Sequence, residues 1–351
     1  MQRPFARYLF ISGISLLGVL LLAWAYVALA PMAFMESGYA TWAAKSTMLR
    51  ECQLGAVTFF GDSRLEAGVI PRALPVEASN FGLAAGTAVE TNSAVRRALA
   101  CPSPPRQAVI ALVPEHFGPL SKFFWALSVR YGFLSPNEVW QAESIAAEQD
   151  DQQSFATPTP DGLGGRVRDL LYAIRFPSLS FGSLVQGRLF ARYGSNMARY
   201  EEILRDRGWA NYAGGDKVKS EHPDAFIATG LQTAEFEHAI AALRGRGIDV
   251  VLLTMPFAQT HAETAPAFAA YFAYLADVAK RFPGVALVNA QAPIWPDALF
   301  ADGAHLNAEG ARLFSERLAA CMTGGQLQPG CDLGWRGSTV LEVQQQGNRQ
   351  H

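Results

Sequence analysis

Several absences narrow the reading of this chain. It has no Walker-type phosphate loop, no Cys/His spacing suited to zinc and no sustained heptad pattern. Neither sign of charge dominates. Against 29 Lys and Arg stand 31 Asp and Glu, a net charge of -2, so nothing draws the whole molecule toward nucleic acid. The glycine cluster Gly162-Leu163-Gly164-Gly165 follows a proline-rich turn and reads as a loop, not a phosphate cradle. No cofactor and no metal are expected.

What is present is apolar. Half of the 351 residues are hydrophobic, enough for one large domain or two ordinary ones. From Tyr8 to Ala30 there is no charged residue. At ~1.5 Å per residue that stretch spans ~34 Å, sufficient to cross a bilayer with some tilt. Arg3 and Arg7 precede it and Glu36 follows. The positive-inside rule then puts the N-terminus in the cytoplasm and the remainder outside, which in a bacterium is the periplasm. A cleaved signal peptide is the competing reading, because Ala28-Leu29-Ala30 has the small-x-small pattern. Against it stand the length of the apolar run and Pro31 directly after the cleavage point.

An outward-facing domain would sit in an oxidising compartment. Cys52 precedes the first expected strand, Cys101 ends the helix after the second, and Cys321 and Cys331 flank a short glycine-rich loop. Three connectivities exist for four cysteines. Cys52–Cys101 with Cys321–Cys331 is favoured, and free thiols are the alternative.

Residues 1–50 are expected to be anchor and amphipathic stalk, 51–322 the main domain, and 323–351 a disordered tail. Continuous apolar runs of the kind buried in parallel sheets occur at Ala56–Phe60 and Gln107–Val113, and Val76–Phe81, Asp249–Thr254 and Val285–Asn289 read as further strands. Helical patterns lie between them, at Thr87–Ala100, Leu231–Arg244 and Ala265–Arg281, with a last one at Ala308–Cys321 capped by Asn307. Residues from about 115 to 215 break this alternation. They contain Phe123-Phe124-Trp125, an acidic run at Glu148–Asp151 and the turn-rich Thr157–Gly162, and read as a largely helical insertion or lid. Alternating strands and helices imply an α/β fold with a mainly parallel sheet and helices on both faces.

Sites in such folds lie at the carboxyl ends of the strands. Gly61-Asp62-Ser63-Arg64 ends the first strand, Asn80-Phe81-Gly82 ends the second, and Asp302-Gly303-Ala304-His305-Leu306-Asn307 follows the last. A serine hydroxyl needs a base to become a nucleophile. His305 is the candidate base for Ser63, and Asp302, three residues earlier, can fix its tautomer and stabilise the imidazolium. The backbone N–H groups of Ser63 and Gly82 are the expected oxyanion donors.

These three blocks resemble the SGNH/GDSL hydrolase superfamily over roughly Ala56 to Ala320. The resemblance implies a three-layer α/β/α, flavodoxin-like fold, with Ser63 as nucleophile, His305 as base, Asp302 as its orienter and Gly82 in the oxyanion hole. The family's third block usually carries an asparagine after the third strand. Here that stretch is Val113-Pro114-Glu115-His116-Phe117, which has no asparagine, and His116 is the candidate replacement. Arg64 is a candidate for engaging a carboxylate or polar substrate group. Anchored members with a weakened third block resemble the SGNH-like proteins that accompany membrane-bound O-acyltransferases in exopolysaccharide O-acetylation. The implied activity is serine-dependent O-acyl transfer to, or hydrolysis from, an exported polysaccharide. A non-catalytic assembly component and a periplasmic lipase or thioesterase are the alternatives.

Overall fold

The computed structural model describes residues 2–155, 167, 170–172, 174–212, 225–261, 265–289, 291 and 293–335. The glycine cluster at 162–165, the turn-rich stretch at 157–162 and the tail past Trp335 lie outside the described residues. The chain opens with helix α1 (Gln2–Leu29), in which Phe5–Leu29 is long and apolar enough to cross a membrane. Short α2 (Pro31–Phe34) and α3 (Ser37–Arg50) follow. Next come β1 (Val57–Gly61), α4 (Ser63–Gly68), β2 (Ala78–Gly82), α5 (Ala88–Leu99) and β3 (Gln107–Ala111). The insertion contributes α6 (Pro136–Glu148), α7 (Phe181–Gln186) and α8 (Tyr193–Arg205). Alternation resumes with α9 (Gly230–Gly245), β4 (Asp249–Leu252), the short β5 (Phe257–Ala258), α10 (Ala265–Arg281) and β6 (Val285–Leu287). Then come β7 (Ile294–Trp295), α11 (Ala308–Ala320) and a hairpin of β8 (Met322–Thr323) and β9 (Gln326–Leu327).

Five strands form one sheet in the order β2-β1-β3-β4-β6, and every pairing in it is parallel. The protein is therefore a mixed α/β fold around a parallel sheet, as the apolar runs predict. Register is what positions the site. Gly61 pairs with both Gly82 and Ala111, so β1, β2 and β3 end at one level. The loops that leave them are neighbours.

Alternate side chains of each strand point to opposite faces, and both faces are covered. Phe60, Ile110 and Leu252 join a core with residues of α3, α5, α9 and α10. Phe59, Val109 and Val251 join a second core with residues of α4 and α11. A strand buried on both sides has no polar alternation, which explains the continuous apolar runs.

Two expectations need correction. The stretch before residue 50 is not a free stalk. Helix α3 packs against α8 and α5, with Trp42 and Met48 each 1% exposed. Its reason is the low charge of Tyr39–Leu49, where Lys45 is the one charged residue. Nor is the whole of 323–351 a loose tail. Gly324 and Gly325 have φ of +61° and +79°, the backbone that a two-residue hairpin turn needs. The Gln107 side chain pairs with Leu327 in both directions, accepting from its N–H at 2.8 Å and donating to its carbonyl at 3.1 Å. Leu327 and Leu333 are buried behind that contact.

Both favoured disulfides are present. Cys52 is bonded to Cys101 and Cys321 to Cys331, with Cα separations of 5.6 and 5.8 Å.

Candidate active site

Asp62 sets the first turn of α4. Its Oδ1 accepts from the N–H groups of Arg64 at 2.9 Å and Leu65 at 3.4 Å, the work of a helix N-cap. Its Oδ2 accepts from the Val113 N–H at 2.8 Å, which ties the loop after β1 to the loop after β3. Burial raises this carboxyl, but the His116 ring, the Arg64 charge and the Val113 N–H outweigh burial and hold it below the usual carboxylate range. The motif aspartate is thus a structural anion. Ser63 follows at the first position of the helix, where its N–H has no intrahelical acceptor.

The distant loop is built just as locally. Asp302 Oδ1 accepts from the N–H groups of Ala304 at 2.7 Å and His305 at 2.8 Å, so the aspartate folds its own loop. Ala301 N–H donates to the His305 carbonyl at 2.8 Å. Asn307 then caps α11 by accepting from Gly310 N–H at 2.9 Å, and buried Leu306 pins the loop to the second core.

The two loops meet. Ser63 Oγ lies 2.8 Å from His305 Nε2, and His305 Nδ1 lies 2.7 Å from Asp302 Oδ2. Burial pushes Asp302 up, but the imidazole hydrogen bond and charge, with the two N–H donors, pull it down to about 2. An ionised carboxylate on Nδ1 favours the tautomer with its proton there and leaves Nε2 free to accept from the serine hydroxyl.

Behind the imidazole is a network that no motif announces. The Tyr212 ring stacks on His305 at 4.4 Å between centroids, with the planes 18° apart. Tyr212 Oη donates to Glu66 Oε2 at 2.9 Å, and Lys45 Nζ donates to Glu66 Oε1 at 2.8 Å and also to the Gly82 carbonyl. Lys45 is fully buried, and burial lowers its pKa against the pull of Glu66. Burial and the neighbouring Glu66 raise the Tyr212 hydroxyl well above its ordinary value, so it stays protonated and donates. The His305 imidazole is therefore backed by a chain of contacts that begins in α3. Lys45, Glu66 and Tyr212 come from three distant parts of the chain. The only sequence signal is the lone lysine within an otherwise uncharged helix face.

Other expected site residues fare differently. Gly82 sits beside the turn that carries Ser63, where a Cβ would come within 2.5 Å of Glu66 N and 2.7 Å of the Asp62 carbonyl. Its N–H, however, donates to Asn80 Oδ1 at 2.9 Å, which removes it as the open oxyanion donor expected there. The cause is Asn80, whose side chain folds back on its own strand end. Its Nδ2 also donates to the carbonyls of Leu65 and Val69, each at 2.9 Å, which closes the C-terminal end of α4. His116 Nδ1 lies 3.3 Å from Asp62 Oδ2, so its ring is brought to the buried N-cap. Arg64 is 6% exposed, with its guanidinium 4.3 Å from the centre of the Phe257 ring. Its Nη1 is buried without a hydrogen-bond partner among the described residues. Burial lowers its pKa, and the charges of Glu115, Asp62 and Asp302 oppose the shift.

No known family model matches the chain, and no curated protein matches it.

Proposed function

We propose that this protein is a serine-dependent acyl-transfer enzyme of the SGNH/GDSL type, with the three-layer α/β/α arrangement of that superfamily. The observation that carries the reading is the unbroken hydrogen-bonded series from Ser63 Oγ through His305 to Asp302. The paired loop motifs at aligned strand ends support it. In the proposed reaction Ser63 Oγ attacks the carbonyl carbon of an O-acyl donor while His305 Nε2 takes the hydroxyl proton. The tetrahedral intermediate collapses, the donor oxygen leaves with the proton from His305, and the acyl group stays on Ser63. A second hydroxyl, from a sugar or from water, then attacks with His305 as base and releases free Ser63.

The proposed setting is the outer face of a bacterial inner membrane, with α1 spanning it and the N-terminus in the cytoplasm. The length of Phe5–Leu29 and the two disulfides support that placement. The proposed acceptor is an exported cell-envelope polysaccharide, and a membrane-bound O-acyltransferase is the proposed partner that supplies acyl groups. Lys45, on the proposed catalytic network, is eight residues from Ser37, about 12 Å along α3. That short reach supports a site close to the bilayer, where such a donor would arrive.

A second reading, a non-catalytic assembly component, is favoured by one observation. Gly82 N–H is engaged, which leaves the Ser63 N–H as the oxyanion donor that the geometry offers. Turnover of an aryl acetate by the full chain, with and without an acetyl-accepting oligosaccharide, separates the readings. Turnover that vanishes in Ser63→Ala supports the enzyme, and acetylated oligosaccharide supports the transferase. Absence of both in folded protein, with the acyltransferase co-expressed, overturns the enzymatic reading.

A further inference from the structure

The anchor alone would leave the domain free to swivel. Among the described residues outside α1, the densest run of exposed large apolar side chains lies between Leu170 and Tyr193. Leu170, Phe181, Val185, Leu189, Phe190 and Tyr193 are each more than half exposed. Scattered exposed apolar residues are ordinary, but a contiguous set of this kind marks an interaction surface.

Two further observations identify what that surface meets. The first is position. Trp24 Nε1 donates to the Ile174 carbonyl at 2.8 Å, and Tyr26 Oη donates to the Leu189 carbonyl. Trp24 also packs edge-on against Phe176, and Tyr26 against Phe190. Trp24 lies five residues before the end of the apolar span at Leu29, about 7.5 Å along the helix axis. Tryptophan and tyrosine near a span end are typical of the membrane interface. Ile174 and Leu189 are thus held at the depth of the interfacial end of α1. The chain just after the span is clamped to the same segment. Arg192 N–H donates to the Ala33 carbonyl at 3.2 Å, and Asn196 Nδ2 donates to the Met32 carbonyl at 3.0 Å and the Met35 carbonyl at 2.9 Å.

The second observation is charge. From Leu170 to Tyr193 there is no Asp or Glu, but there are three arginines, Arg175, Arg188 and Arg192. Exposed aromatic and aliphatic side chains beside basic residues suit the boundary between acyl chains and anionic headgroups.

We infer that the exposed face of residues 170–193 embeds in the interfacial layer of the bilayer beside α1, as a monotopic second anchor. This rests on the reading of α1 as a membrane span. The two contacts together fix the orientation of the domain on the membrane. A soluble partner protein is the other occupant such a face could have, and the test separates the two.

The full chain is reconstituted in phosphatidylcholine and phosphatidylglycerol vesicles containing a lipid with a diazirine on its acyl chain. After photolysis and proteolysis, lipid adducts are mapped by mass spectrometry. The expected result is adducts in α1 and also in residues 170–193. In a Phe181→Ser, Val185→Ser, Phe190→Ser variant the second set should be lost while the α1 adducts remain. Those substitutions fall on exposed side chains, and retention of both disulfides checks the fold. Adducts confined to α1 overturn the second anchor and leave the span intact. Adducts in neither overturn the span itself and the inference with it.

Discussion

At the residue scale, the decisive groups are few. Asp302 serves its own loop and the imidazole at once, so its replacement should separate chemistry from folding. Asp302→Asn is expected to lower ester turnover by about 10³- to 10⁴-fold, because the amide no longer enforces the imidazole tautomer. Far-ultraviolet circular dichroism should stay unchanged. The same carboxyl has a pH signature. Its ordinary value is 3.8 and its folded value about 2, so the native state holds the proton less tightly than the unfolded chain. Its stabilising contribution is complete above about pH 4 and is lost as the pH falls toward 2. Partial exposure keeps the effect small. Urea midpoints across that window should slope less in Asp302→Asn than in the wild type. Lys45 offers a contrasting case. Lys45→Met leaves Glu66 as a buried charge with only Tyr212 beside it, and should cost about 3–5 kcal/mol in denaturant unfolding. Adding Glu66→Gln should recover part of that loss. A loss below 1 kcal/mol would contradict the buried pairing. That Ser63, His305 and Asp302 would meet was legible in the sequence because each motif is local: a strand end, a cap and a loop. The direction of the Gly82 N–H was not legible, because nothing in Asn80-Phe81-Gly82 tells whether it faces outward or returns to the Asn80 side chain.

At the scale of elements, the parallel sheet was legible for a physical reason. Strands buried on both faces leave an unbroken apolar signature, and β1, β3 and β4 carry it. Helix α3 was not legible. It pairs with α8 from the insertion and with α5, and such contacts between distant segments leave no periodic mark in either partner. Its burial has a direct consequence for shortened chains. A chain starting at Pro31 retains α3 and should unfold cooperatively. One starting at Glu51 loses the buried Trp42, Lys45, Met48 and Leu49. Loss of the Trp42 side chain alone is of the order of 3–5 kcal/mol, and the remaining domain should lose its cooperative thermal transition. Calorimetry of the two chains decides the matter. Equal melting would show that α3 is dispensable after all. The hairpin at Gly324-Gly325 teaches the reverse lesson. Its turn signal was present in the sequence, but the low-complexity tail after it hid a segment docked on Gln107.

At the scale of the whole molecule, the Ser63–His305 contact bridges 242 residues of chain at the ends of the parallel sheet. The disulfides belong at this scale because they brace the fold from both ends. Cys52–Cys101 closes a separation of 49 residues, for which loop-closure entropy gives about 4 kcal/mol. A Cys52→Ala, Cys101→Ala variant should lose stability of that order, read by urea unfolding, whereas a loss near zero would put the brace elsewhere. Everything functional nevertheless depends on Ser63 being a nucleophile. The most direct measurement is labelling of the full chain by a fluorophosphonate, read as intact mass and mapped by peptide. One adduct per chain is expected, on Ser63, and none in Ser63→Ala or His305→Ala. An unlabelled wild type with native circular dichroism, or an adduct that persists in Ser63→Ala, would contradict a nucleophilic Ser63.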